Sequence, residues 1–365
     1  MVFNMYIKYL QLLDYRNYNS LNLELVPSVN VFMGDNAQGK TNILESIYYC
    51  GFGKSHRTNK DKELIRWNEE KSVISVYIAK KRLDKRIDIN ILRDGKKAIR
   101  INSIKINKIS DLIGTFNVVM FSPEDLRIVK ESPGVRRRFL DMELCQLDKK
   151  YYYSLVQYNK VLQERNVVLK NRNLDKSMLD IYDIQLASFG KYIFNKRIHY
   201  VKQLNHYGSV IHKDITSNKE EIAFKYISSI KGTENVEDEI LHILKANREK
   251  DMDRGTTSTG IHRDDLAIYI NKIEVKSYGS QGQQRTAVLT MKFSSLSILK
   301  DLTGENPVLL LDDVLSELDF NRKKYILKSI KDIQTIITCT GVDDIQEYLD
   351  EDAKIFNVVD GNIIS

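Results

Sequence analysis

Apolar and polar residues alternate along "KRIDINIL" (85–92) and "AIRINSIKI" (98–106), on either side of "RDGK". A two-residue period around a turn predicts a pair of antiparallel strands. Elsewhere apolar residues gather in short runs. "SVNVFM" (28–33) and the four residues Val308 to Leu311 are predicted as buried strands, and "EEIAFKYI" (220–227) as a further strand. Helical spacing marks "TNILESIYYC" (41–50), "AVLTMKFSSLSIL" (287–299) and "NVEDEILHILKANREK" (235–250), the last with Asn235 or Glu237 near its start. Two more helices are predicted within 147–172 and 182–205, joined by "NLDKSMLDI". No heptad repeat is sustained between them, so a compact helical lobe is expected rather than a long coiled coil.

Ser280 precedes Gln283 by three residues, the spacing of a capping box, in which serine oxygen and glutamine side chain satisfy each other's backbone N–H. That alone explains how the helix after 280 begins. The rest of the chain gives the stretch a second meaning.

"GDNAQGKT", Gly34 to Thr41, matches G-x-x-x-x-G-K-[ST], between a predicted strand and a predicted helix. In that context the backbone of Gly34, Asp35, Asn36, Ala37, Gln38 and Gly39 cradles phosphates. Lys40 reaches the terminal phosphates and the Thr41 hydroxyl ligates Mg²⁺. Far along the chain the strand Val308–Leu311 runs straight into Asp312 and Asp313. Two carboxylates at the end of a buried strand need a cation. Asp312 is expected to hold the metal and Asp313 to polarise the attacking water.

Composition narrows the class. The 365 residues allow two or three domains' worth of core, and no apolar run approaches the about 20 residues that cross a bilayer. The first 20 residues lack a signal-peptide pattern, so a cytoplasmic protein is expected. Cys50, Cys145 and Cys339 show neither metal-ligand nor disulfide spacing. Net charge is +7, and Lys80 to Lys108 alone carries 11 basic and 3 acidic residues. Either this segment offers a surface to a polyanion or it is a solubilised hairpin.

The order of P-loop, Ser280-Gln281-Gly282-Gln283, strand with Asp312-Asp313, and Ser316 to Asp319 resembles the ABC-type ATPases. The finer resemblance is to the RecF family of bacterial recombination mediators. It rests on "LDYRNYNSLNLEL", "GDNAQGKTNILESIYY", "GFGKSHRTNKDKELIR", "FSPEDL", "GVRRRFLD", "STGIHRDDL", "GSQGQQRT" and "LLLDDVLSELD", in that order over nearly the whole chain. The 240 residues from Lys40 to Ser280 are long for a transporter engine and short for a structural-maintenance-of-chromosomes (SMC) protein. These two remain the alternative readings.

The resemblance implies an α/β fold: an ABC-type ATPase head, with a P-loop core of mixed sheet and helices, over 1–120 and 256–365. A mainly helical lobe with a short hairpin is inserted at about 121–255. It implies ATP and Mg²⁺ as cofactors and an ATP-dependent homodimer. Ser280, Gln281, Gly282 and Gln283 of one subunit would face the nucleotide held by the other. DNA, RecO and RecR are the implied partners, with no membrane. His56 and Arg57 would approach the nucleotide, and His262 and Arg263 the site or the DNA, or each serves as an ordinary polar loop residue. Arg136 to Arg138 would meet phosphates or pair with carboxylates such as Asp141 or Glu143. Tyr151 to Tyr153 would stack on bases, or at least one would pack in the core. Transporter engines carry a histidine on the strand after the Asp-Asp block. Here "QTIITCTGVDD" has Thr338, Cys339 and Thr340, and Asp313 replaces a glutamate. A threonine accepts no proton at neutral pH, so slow hydrolysis is expected.

Overall fold

The computed structural model describes residues 5–171, 176–232, 234–342, 346, 349 and 351–364. They cluster into two compact units, residues 1–125 with 295–365, and residues 126–294.

The first unit opens with a hairpin of β1 (Tyr6–Tyr15) and β2 (Tyr18–Glu24), with Arg16 and Asn17 at its turn. β3 (Val29–Met33) then leads to helix α1 (Lys40–Phe52). Strands β4 (Lys71–Ala79), β5 (Lys85–Leu92), β6 (Lys97–Ile101) and β7 (Ile104–Ile106) extend the hairpin into a six-stranded antiparallel sheet, ordered β2-β1-β4-β5-β6-β7. The predicted alternation is present. Ile87, Ile89 and Ile91 of β5 are fully buried, while Arg86, Asp88 and Asn90, which alternate with them, point to the other face. One face thus builds core and the other meets water.

The remaining strands of this unit are β8 (Val118–Phe121), β12 (Val308–Asp312), β13 (Thr335–Cys339), β14 (Lys354–Val359) and β15 (Asn362–Ile364). With β3 they form the sheet β15-β14-β3-β13-β12-β8, parallel except for β15. Every residue of β8, β12 and β13 is buried. That is why Val308 to Leu311 of β12 read as an unbroken apolar run.

The second unit is mainly helical. The helices Lys149–Leu169 and Lys176–Thr216 pack against each other. The second is 41 residues long and takes in most of the stretch expected to link the two. Residues 173–175 of that stretch lie outside the described residues. The long helix also corrects the reading of its pattern. Leu179, Leu186, Ile193 and Tyr200 repeat every seven residues, each at most 1% exposed. The positions between them are the buried Asp183, Gly190 and Arg197, which hide the stripe from an apolar count. Arg165 of the neighbouring helix, wholly buried, donates to Asp183 (2.7 Å) and Asp251 (2.8 Å). Arg197 meets Asp141 at 2.8 Å. Strand β9 (Ile222–Ile227) finds its partner in β10 (Asp265–Ile270), which also pairs with β11 (Ile273–Glu274).

Two sequence expectations resolve here. Arg136 does pair with a carboxylate, but the partner is Asp265, held bidentately at 2.7 and 2.9 Å. The sequence-near Asp141 is already taken by Arg197. Tyr151 is fully buried, and Tyr153 is exposed beside Phe189, so the three tyrosines do not form one stacking face.

Candidate nucleotide site

The phosphate-loop sequence sits where β3 ends. Its glycines are demanded by close approaches. A Cβ on Gly34 would lie 2.3 Å from the Val358 carbonyl oxygen of β14. A Cβ on Gly39 would lie 2.6 Å from Asn17 Nδ2, and φ there is +115°. The loop is therefore held between two hairpin turns. Asn17 Nδ2, in the β1–β2 turn, donates to the Gln38 carbonyl (2.9 Å), and the Gly361 amide, in the β14–β15 turn, donates to the same oxygen (3.1 Å). The Asp360 amide donates to Gln38 Oε1 at 2.5 Å. Asp35, Asn36 and Ala37 are exposed at the rim.

Lys40 is 3% exposed, and its ammonium donates to the carbonyls of Gly34 (2.5 Å) and Asp35 (3.0 Å). A buried cation folded onto its own loop fits a group that would exchange these carbonyls for phosphate oxygens. Next to it, Thr41 Oγ1 donates to Asp312 Oδ1 at 2.9 Å. Two hard oxygen donors, one from α1 and one from β12, suit Mg²⁺ with phosphate completing its shell. Among the described residues no group of three or more His, Cys, Asp or Glu side chains gathers as a metal site. A site built on one carboxylate and one hydroxyl plus phosphates needs none.

Burial pushes the Asp312 carboxyl up, partly offset by hydrogen bonds from Thr338 and Thr41. Thr338 is fully buried and opposite Asp312 in the parallel pair β12–β13. Its hydroxyl donates to Asp312 Oδ1 (2.8 Å) and accepts from the Asp313 amide (3.0 Å). Asp313 stands at φ +50°, a left-handed conformation uncommon for a non-glycine residue. Thr338, read from sequence only as a missing histidine, thus holds the Asp312 carboxylate and the Asp313 backbone.

On α1, Glu45 is wholly buried and accepts from Arg16 (2.7 and 2.8 Å) and Ser55 (2.5 Å). Burial raises its carboxyl, but these partners outweigh it and the net shift is downward. Arg57 donates to Asn42 Oδ1 at 2.8 Å and lies close enough to lower the Asp312 carboxyl. His56 rests edge-on against Tyr48.

In the second unit the capping box forms. The Ser280 amide donates to Gln283 Oε1 (3.0 Å), and the Gln283 amide donates to Ser280 Oγ (3.2 Å). Gln283 Nε2 is tied to Glu220 at 2.8 Å, while Ser280 and Gln281 face solvent. A Cβ on Gly279 would lie 2.6 Å from the Val275 carbonyl. Gly282 lies in the first turn of the helix Gln281–Thr303, its carbonyl accepting from Thr286. His262 sits between Tyr158 Oη (2.9 Å) and the Thr257 carbonyl (3.2 Å), and burial pushes its pKa down to about 4. Arg263 donates to the Thr257 carbonyl.

The family model for the RecF/RecN/SMC N-terminal domain matches residues 6–363. A DNA replication and repair protein RecF of Clostridium perfringens is 66% identical over 98% of this chain and 99% of its own. The chain belongs to the RecF family. A RecF of Clostridium botulinum is 62% identical over 99% of this chain and 100% of its own. A solved structure of the recombination mediator protein RecF-ATP in the RecFOR pathway superimposes with a TM-score of 0.90 at 36% identity, over 99% of both chains. An Smc head domain from Pyrococcus furiosus reaches 0.59 at 16% identity, over 99% of this chain and 96% of that chain, which shows the shared fold alone. The mixed α/β fold with a central helical segment is thus that of RecF. No helix among the described residues is long and apolar enough to cross a membrane.

Proposed function

We propose that this chain is an ATP-switched DNA-binding ATPase of recombinational repair. The observation that carries the reading is the junction of Lys40, Thr41 and Asp312 in a chain of the RecF family. Gly34 to Gly39 hold the phosphates by backbone N–H groups, Lys40 balances their charge, and Thr41 with Asp312 holds Mg²⁺. Bound ATP supplies the phosphoanhydride whose cleavage resets the switch. Asp313 takes a proton from the attacking water. Ser280 to Gln283 of a second copy complete the site, so ATP closes a homodimer and hydrolysis opens it. Exposure of Ser280 and Gln281, with the capping box already satisfied, supports this role.

The closed dimer binds duplex DNA near single-strand gaps in the cytoplasm. With RecO and RecR it helps load recombinase. Hydrolysis is slow, because Thr338 and Cys339 of β13 and then Thr340 stand where transporter engines carry a histidine, and Asp313 is shorter than a glutamate. The test is ATP hydrolysis by the purified protein, with and without duplex DNA at fixed salt. A slow basal rate that rises with DNA supports the reading. A rate indifferent to DNA, at concentrations where the dimer forms, overturns the coupling.

A further inference from the structure

The basic segment 80–108 divides into cations with partners inside the fold and cations with none among the described residues. Lys97 donates to the Gly53 carbonyl (2.6 Å) and to Asp61 (2.8 Å). Lys80 meets the Thr115 carbonyl (3.0 Å) and Glu305 (2.8 Å). Arg86 lies over the Tyr77 ring and donates to Asp88 Oδ1 (2.8 Å). These hold the first unit together.

Arg100 and Lys105 are different. Strand register lines up Asn22, Gln11, Ser75, Asp88, Arg100 and Lys105 across all six strands of the antiparallel sheet, on the face away from Ile87, Ile89 and Ile91; Ser75 is buried there, while Arg100 and Lys105 are exposed. Arg100 faces Asp88 on one side. The Asp88 Oδ1 oxygen already accepts from Ser75 Oγ (2.6 Å) and Arg86 Nε. On the other side Arg100 faces Lys105 directly. Both are exposed, and neither has an ion pair among the described residues.

Opposed like charges on one sheet face destabilise the pair. A lone lysine on the edge strand β7 needs no ligand, because edge lysines deter strand pairing. An arginine on the interior strand β6, directly opposite that lysine, is not explained that way. Two cations about 5 Å apart in the strand register match successive anionic oxygens. Lys81 and Arg82, exposed in the turn between β4 and β5, add positive charge to the same sheet.

We propose that this face, at Arg100 and Lys105, takes the phosphate backbone of duplex DNA. The assignment rests on the DNA-binding reading above and names its surface.

The test is binding of a fluorescently labelled duplex, titrated against salt, for the wild type, the R100A/K105A variant and a charge-matched K202A/K225A control. Lys202 and Lys225 are exposed in the second unit. Removing two phosphate contacts lowers the slope of log affinity against log salt by about 2 and weakens binding at least about tenfold at moderate salt. ATP binding stays as in the wild type. The unliganded thermal midpoint holds or rises, since a repulsion has been removed. Wild-type slope and affinity in R100A/K105A, or an equal loss in the control, overturns the surface. Absence of duplex binding by the wild type overturns the DNA reading itself and the surface with it.

Discussion

Thr338 and Asp312 face each other across two parallel buried strands, and the threonine hydroxyl donates to the carboxylate at 2.8 Å. The same hydroxyl accepts from the next amide, Asp313. One buried side chain therefore holds the carboxylate proposed for the metal and the backbone of the residue proposed for the attacking water.

Replacing Thr338 by valine keeps the shape and removes both bonds. Among the described residues Asp312 then keeps only the Thr41 hydroxyl as a donor, and its carboxyl moves further up. ATP hydrolysis is expected to fall about tenfold, an interaction loss of about 1.4 kcal/mol, with the fold intact. Thr338→Ser should restore most of the rate. Turnover at saturating ATP, with binding measured separately, checks this.

The Gln38 carbonyl is the meeting point of two hairpin turns, one near each end of the chain. Asn17→Ala removes one donor and should weaken ATP binding several-fold while leaving the turnover of bound ATP near its original value. Gly34→Ala is harsher, because its Cβ would be driven onto the Val358 backbone. It should destabilise the protein by at least about 2 kcal/mol and abolish nucleotide binding. Equilibrium ATP binding and urea denaturation separate the two effects.

These contacts mark the limit of what the sequence made legible. The P-loop, its strand and its helix are contiguous, and β12 is an unbroken apolar run ending on Asp312, so local pattern was enough. The capping box was likewise legible, since Ser280 and Gln283 are three residues apart. The Thr338 contacts depend on which strand lies beside β12, and no local pattern encodes that. Arg136 looked toward Asp141 because a helix favours near neighbours. Its true partner, Asp265, is 129 residues away. The heptad stripe of the long helix was hidden because Asp183 and Arg197 are buried as ion pairs and Gly190 as a close contact. There a Cβ would meet Ile240 at 3.1 Å.

His262 gives a pH dependence. Its folded pKa, about 4, lies below the unfolded value near 6.5, so the unfolded chain binds more protons between those limits. The stability contributed by neutral His262 is complete above pH 6.5 and is lost as pH falls towards 4. His262→Gln should flatten that part of the profile relative to the wild type. Denaturation midpoints measured at intervals from pH 7.5 to about 4 test it.

The central claim is a nucleotide site shared between two copies. Lys40→Met should disable the P-loop of a chain, and Ser280→Arg its signature helix, so each variant alone should hydrolyse ATP at background. Mixed in equal amounts, half of the dimers pair one variant with the other, and each such dimer regains one intact composite site. About a quarter of wild-type ATP hydrolysis is expected to return in the mixture, against background for either variant alone. Mixing that restores nothing, at concentrations where the wild type dimerises with ATP, would contradict the shared site.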